Sequence, residues 1–236
     1  MCGRFVRKCS VDEIKSEFGA VACPEGEIKW AFEPSYNVAP MQNVLGVINN
    51  EGANRIASFR WGLVPFWAKD ASIGNRMINA RAETLTEKPA FSRIFKNQRC
   101  LIVADGFYEW KKLDEKSKMP MYIHLRANRP FGLAGLYSTW KSPKDGSVLT
   151  TCTIITTTPN ELLAPIHDRM PAIIAREHRN AWLDGGISDP QALMPLLKPY
   201  DSKDMEAYEV SRRVNKPEYN RPDCVKPFKT DNSANS

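Results

Sequence analysis

Cys100-Leu101-Ile102-Val103-Ala104-Asp105-Gly106-Phe107-Tyr108-Glu109-Trp110-Lys111 is an apolar and aromatic run broken once, by an Asp-Gly pair. The turn residues split it into two strands, 100–104 and 107–111. In the second strand, alternation places Glu109 on the face of Phe107 and Lys111, opposite Tyr108 and Trp110. Moving outward, 121–125, 131–136 and 148–156 are further β-branched, aromatic or apolar runs separated by turn residues, and 205–210 reads as a late strand. Toward the amino terminus, 43–48 and 54–60 read as two strands around Asn49-Asn50-Glu51-Gly52. The helical signals are short. Ser10 and Glu13 fit a capping box ahead of Val11, Ile14 and Phe18, and Gly19 stops that helix. A second helix covers Pro89 to Lys96 with Phe91, Ile94 and Phe95 inward. Thr158, Pro159 and Glu161 predict a third start, cut short by Pro165, and 176–183 and 190–197 read as helices. Strands and short helices without a βαβ rhythm predict an α+β fold with a mostly antiparallel, barrel-like β-sheet core and short surrounding helices. No internal repeat occurs. The expected organisation is a single domain over 1–220 and a carboxy-terminal tail over 221–236, partly disordered, polar and small from Thr230 to Ser236.

The 236 residues are 42% hydrophobic and 25% charged, enough to bury a sizeable core. No run approaches the ~18 apolar residues of a membrane span. Arg4, Arg7 and Lys8 arrive where a secretory leader would be apolar, so the expected location is cytoplasmic. The net charge of +6 fits a polyanionic partner without requiring one. Cys2, Cys9, Cys23, Cys100, Cys152 and Cys224 form no C-x-x-C pair, and His124, His167 and His178 add no zinc spacing, so neither metal nor cofactor is expected.

Cys2 follows the initiator Met1 directly. Once Met1 is removed, a single residue carries an α-amine and a thiol on adjacent carbons. An α-amine has an ordinary pKa near ~8, so a usable fraction is neutral at pH 7. A neutral amine attacks an aldehyde to give an imine, and the neighbouring thiol closes on that carbon to a thiazolidine. No internal lysine or cysteine offers that pair.

Five segments place polar residues among aromatics and apolar runs: Met1-Cys2-Gly3-Arg4-Phe5, Tyr36-Asn37-Val38-Ala39-Pro40, Ile78-Asn79-Ala80-Arg81-Ala82-Glu83-Thr84, Asp105-Gly106-Phe107-Tyr108-Glu109-Trp110 and Ile166-His167-Asp168-Arg169-Met170-Pro171. With Arg60-Trp61-Gly62-Leu63-Val64-Pro65-Phe66-Trp67 and in this order, they closely resemble the SRAP family (SOS response-associated peptidase domain) over roughly residues 1 to 216. The resemblance implies an abasic-site sensor acting in DNA repair as a monomer, nucleoid-associated when bound to DNA. Cys2, exposed by an autopeptidase step that removes Met1, forms a covalent thiazolidine with the ring-opened aldehyde of an abasic site in single-stranded DNA. An imine without ring closure permits β-elimination, a lyase side reaction.

The same resemblance assigns roles. Cys2 is the nucleophile, Glu109 accepts and relays the amine proton, and His167 is the acid or base on the deoxyribose, a role its pKa range suits. Asn79 orients amine or sugar by hydrogen bonding. Arg4 and Arg81 are the expected phosphate contacts, with Arg60 and Arg169 as weaker candidates. Trp67 stacks on unpaired bases, with Phe66 beside it, whereas Trp61 reads as core. Tyr36 to Pro40 reads as a structural loop, Asn37 being the exception to watch, and Glu83 as a buried partner for an arginine. The remaining cysteines read as structural, and Cys2, as a terminal residue, is expected to be exposed. Lys69 to Gly74 and the chain after Asn215 depart from the family's shortest pattern. Two other readings stay open: an amidohydrolase in which the thiol attacks an amide with the α-amine as base, and a noncovalent single-stranded DNA binder.

Overall fold

A computed structural model describes residues 2–21 and 33–228; Cys23 and the stretch Thr230 to Ser236 lie outside the described residues. The strands are β1 (Phe5–Arg7), β2 (Ala20–Val21), β3 (Ser35–Val38), β4 (Asn43–Asn50), β5 (Ala53–Trp61), β6 (Asn79–Arg81), β7 (Arg99–Ala104), β8 (Gly106–Lys112), β9 (Lys118–Leu125), β10 (Phe131–Lys141), β11 (Val148–Thr157), β12 (Met170–Pro171), β13 (Ile173–Ile174) and β14 (Met205–Glu209). The helices are α1 (Val11–Phe18), α2 (Pro89–Phe95), α3 (Arg179–Leu183) and α4 (Pro190–Leu193).

One sheet runs β14-β9-β8-β1-β3 and is antiparallel throughout. The other runs β12-β11-β10-β7-β4-β5-β2 and returns on itself, because β5 also pairs β11 in parallel, Thr151 with Arg60 and Cys152 with Trp61. That pairing closes β4, β5, β11, β10 and β7 into a barrel, which removes the exposed edges of an open sheet. The β4–β5 hairpin turns through Glu51 (φ 54°) and Gly52 (φ 82°), a two-residue loop with left-handed backbone at both positions. Its twist matches that of the flanking strands.

Period-2 alternation sorts the barrel's two faces. Cys100 and Ile102 on β7 join Phe59, Trp61, Cys152 and Ile154 in one buried cluster, to which Cys2, Phe5 and Phe107 of the first sheet also belong. Leu101 and Val103 point the other way, into a cluster with Ile14, Phe18, Phe91, Phe95 and Trp182, so the helices coat the outside. Arg99 ties that coat to the barrel by donating to the carbonyls of Trp182 (2.6 Å), Phe95 (2.8 Å) and Ile187 (2.9 Å). Helix ends leave such carbonyls without intrahelical partners.

The capping box at Ser10 forms, with Glu13 returning to the Ser10 N–H at 2.7 Å and Gly19 ending α1 at φ 57°. The Thr158 start does not become a helix. Asn160 caps the Leu163 N–H through its own side chain (3.0 Å), Pro165 has no N–H to continue, and residues 161–166 remain turns. The segments 176–183 and 190–197 are each divided into a 3-10 turn and a short α-helix, the second with Pro195 inside its 3-10 half. Residues 221–228 pack onto the first sheet: Cys224 is buried, and the Phe228 N–H donates to the Glu209 carbonyl at 2.8 Å.

Candidate active site

The site is organised by the β1–β8 ladder. Phe5 pairs Phe107, Val6 pairs Gly106, and the Tyr108 N–H donates to the Arg4 carbonyl at 2.9 Å. Continuing that antiparallel register toward the amino terminus brings Cys2 alongside Glu109 and Trp110. The Asp-Gly pair makes this approach possible. Asp105 accepts from the backbone N–H groups of Lys8 (2.6 Å) and Cys9 (2.9 Å), pinning the end of β1. Any side chain at Gly106 would meet the Tyr122 ring within 2.5 Å.

Glu109 lies on the face of Phe107, as alternation predicts, and is buried at 2% exposed. Burial pushes its carboxyl up to about 7, with the positive amino terminus pulling down and Asp168 pushing further up. Cys2 corrects an expectation: it is wholly buried within the apolar cluster. β1 begins three residues on, and the Tyr108–Arg4 bond extends its pairing with β8 toward the amino terminus, so the residue is drawn in beside β8. Burial, then the charge of Glu109, drives the thiol well above its ordinary value, so it is held as S–H.

His167 reaches the same place from the far side of the chain, its N–H donating to the Leu163 carbonyl at 2.9 Å. Its Nε2 is 3.8 Å from Glu109 Oε2. Its Nδ1 lies 3.0 Å from the Arg169 backbone N–H and 2.8 Å from Asp168 Oδ1. Only one of those contacts suits each form of the ring: a bare Nδ1 accepts from Arg169, and a protonated one donates to Asp168. Burial, reinforced by the amino-terminal charge, lowers the His167 pKa, against the pull of Asp168.

Asn79 begins β6, which pairs in parallel with β11 (Asn79 beside Ile154), while β12, just after His167, pairs with the end of β11. Asn79 and the His167 loop therefore flank one strand. Asn79 Oδ1 and Glu109 Oε1 are buried without a hydrogen bond to any described residue. Among the described residues, no three His, Cys, Asp or Glu side chains converge as a metal site.

The arginines differ in what they already hold. Arg4 donates from Nη1 to Asn37 Oδ1 (2.7 Å) and the Val214 carbonyl (2.8 Å). Asn37, itself buried, donates to the carbonyls of Val214, Lys216 and Tyr219, so it fastens the chain after 213 to the sheet. Arg169 grips Glu83 with both nitrogens, at 2.7 and 2.9 Å, and adds the Thr156 carbonyl at 2.6 Å. Glu83 is thus an arginine's partner, but half-exposed at 48% rather than buried. Arg81 is exposed and Arg60 half-buried on β5. Trp61 is core, donating its indole N–H to the Ile78 carbonyl at 2.8 Å. Phe66 and Trp67 are exposed on the loop after β5, with Arg93 stacked over the Phe66 ring at 4.7 Å. Gly62 (φ 126°) and Gly74 hold that loop closed, since a Cβ on either would strike the other's carbonyl oxygen within 2.8 Å. The 69–74 departure is therefore built into the loop carrying Trp67.

Residues 1–217 match the family described as SOS response associated peptidase. The chain belongs to that family. A SRAP relative, the abasic site processing protein YoqW of Bacillus subtilis (strain 168), is 52% identical over 226 residues, covering 95% of this chain and 99% of the relative. The abasic site processing protein HMCES of Xenopus tropicalis is 29% identical over 268 residues, covering 95% of this chain and 78% of the relative. A crystal structure of a protein from Bacteroides thetaiotaomicron superposes with a TM-score of 0.88 at 28% identity, covering 97% of this chain and all of that one. Within this SRAP site, the sequence reading missed two groups: Asp168, and the Arg169 main-chain N–H. Both adjoin His167 in sequence, but backbone direction decides whether a neighbour turns back onto the ring.

Proposed function

We propose that this SRAP protein processes abasic sites in DNA. The finer reading is a covalent thiazolidine between Cys2 and the ring-opened sugar aldehyde in single-stranded DNA, formed by a monomer after removal of Met1. The observation that carries it is the convergence of Cys2, Glu109 and His167 from three distant segments in one buried place.

Water must first cleave the Met1–Cys2 amide, releasing methionine and a Cys2 α-amine. Glu109, with a carboxyl near neutrality, suits the base in that autopeptidase step. The neutral amine then adds to the aldehyde carbon, and loss of the hydroxyl as water gives the imine. The thiol adds across the C=N bond, sulfur to carbon and its proton to nitrogen, so aldehyde plus aminothiol becomes thiazolidine plus one water. A thiol held as S–H supports this order, with the amine attacking first, and disfavours the amidohydrolase reading, which needs an attacking thiolate. If the ring does not close, loss of a proton beside the imine followed by expulsion of the 3′ phosphate gives the lyase side reaction.

Protein lacking one methionine by intact mass, mixed with an abasic oligonucleotide, should give a heat-resistant protein–DNA band on denaturing electrophoresis. No band from such protein would overturn the covalent reading, and retained native binding would then favour the noncovalent binder.

A further inference from the structure

Glu83 is linked to the His167 imidazole through one residue, Arg169. The Arg169 guanidinium crosses the end of β11: both its terminal nitrogens bond Glu83, at 2.7 and 2.9 Å, and one also bonds the Thr156 carbonyl at 2.6 Å. The same residue's backbone N–H meets His167 Nδ1 at 3.0 Å. Glu83 sits in the 3-10 turn Ala82–Thr84 directly after β6, whose pairing with β11 also fixes Asn79. One fork thus joins the turn after β6, the carboxy-terminal end of β11 and the His167 loop. Paired planar groups of this kind fix direction as well as distance.

We infer that Glu83 is a positioning residue: its clamp on Arg169 holds the Arg169 N–H against His167 Nδ1, so that the neutral ring carries its proton on Nε2, facing Glu109. The inference rests on the reading of His167 as the group that moves protons on the sugar. An N–H aimed at Nδ1 accepts no proton from that nitrogen, so it selects the other tautomer. Asp168, whose side chain is 84% exposed, lies 2.8 Å from Nδ1 and accepts a hydrogen bond from that nitrogen only when it carries a proton. Without Glu83, the guanidinium keeps only the Thr156 carbonyl. The 166–170 backbone is then less constrained, and Nδ1–H bonded to Asp168 competes with Nε2–H.

The test is nitrogen-15 NMR of the His167 ring above its pKa, in DNA-free protein, for the natural chain, Glu83→Ala and Glu83→Gln. The natural ring should be the Nε2–H tautomer, Glu83→Ala a mixture of the two, and Glu83→Gln, which keeps a bond to Arg169, intermediate. Crosslinking with abasic oligonucleotide, at saturating DNA, should slow in the same order, by roughly 10–100-fold in Glu83→Ala, the loss expected when a reacting group is misplaced. If Glu83→Ala fails to fold, Glu83→Gln alone decides. A ring that stays Nε2–H in the folded variant tested overturns the inference. A tautomer shift in a protein that never crosslinks would sustain the inference and refute the functional reading instead.

Discussion

His167 Nε2 and Glu109 Oε2 face each other at 3.8 Å, one on a turn after residue 160 and the other on β8. The gap is longer than a hydrogen bond. Burial works on both groups toward neutrality, raising the carboxyl to about 7 and lowering the imidazole. Near pH 7 one proton can therefore reside on either group, a useful arrangement for a reaction that moves protons between an amine, a sugar oxygen and water.

Glu109 should make stability depend on pH. Its folded-state carboxyl keeps a proton that the unfolded chain has released between about 4.5 and about 7, so stability falls as pH rises through that window. At about 1.4 kcal/mol per pH unit, the loss above pH 7 amounts to about 3 kcal/mol. Glu109→Gln does not titrate. It should match the natural protein near pH 4 and exceed it by up to that amount near pH 8 in urea unfolding. Parallel curves for the two proteins would show that Glu109 ionises without penalty.

Cys2→Ala should abolish the stable adduct and also destabilise the fold by about 1 kcal/mol, the ordinary cost of a small core deletion. The cost follows from complete burial of the thiol among Phe5, Phe107 and their neighbours. An imine trappable with borohydride should persist once Met1 is removed, since the amine remains. A stable, untreated adduct in Cys2→Ala would sink the thiazolidine.

What sequence could convey here was local. The capping box at Ser10, the Glu51-Gly52 hairpin and the face Glu109 shares with Phe107 each depend on residues within a few positions, and each formed. The parallel β5–β11 pairing that closes the barrel joins residues about ninety apart, such as Arg60 and Thr151, and no local pattern encodes it. The motifs marked Cys2, Asn79, Glu109 and His167 as one group. They could not show that the strand buries Cys2, nor that Asn37 and Asp105, in equally distinctive motifs, serve to fasten chain segments. The Thr158 start had the residues of a cap and lost to Asn160, whose side chain took the N–H that helix growth requires.

Arg4 and Arg81 should separate under substitution. Arg4→Ala strips Asn37 Oδ1 of its donor and leaves the Val214 carbonyl with Asn37 alone, which should cost about 1–3 kcal/mol of stability. Arg81→Ala should leave stability within about 0.5 kcal/mol and lower the slope of log affinity against log salt by about 0.7, one single-strand phosphate. Urea unfolding and binding to an oligonucleotide across a salt series read both. An unchanged slope in Arg81→Ala would remove it from the phosphate contacts.

Trp67, 54% exposed on a loop held by Gly62 and Gly74, presents an aromatic face at no cost to the core. Trp67→Ala should weaken single-stranded DNA binding by about 1–3 kcal/mol, one stacked base, with unfolding unchanged. The natural protein should crosslink single-stranded abasic DNA faster than duplex at matched salt, because a complementary strand occupies the base faces. Equal rates on both substrates would refute the stacking role.

The division of labour between Glu109 and His167 can be read from rates. An amine must be neutral to attack, and the sugar must open to present its aldehyde. If Glu109 takes the amine proton, it can do so only as the carboxylate, above about pH 7, so Glu109→Gln should slow crosslinking most between there and the amine value near ~8, and raising the pH further should recover part of the rate. His167→Ala should instead slow ring opening at every pH, and slow release of a formed crosslink too, since release returns a proton by the same path. Loss of a general acid or base costs roughly 10²–10⁴-fold, so both effects are measurable. Single-turnover crosslinking across a pH series, with release followed by competition against unlabelled abasic DNA, supplies the data. Identical pH profiles for the two variants, with release unaffected in His167→Ala, would mean that the two roles are assigned to the wrong residues.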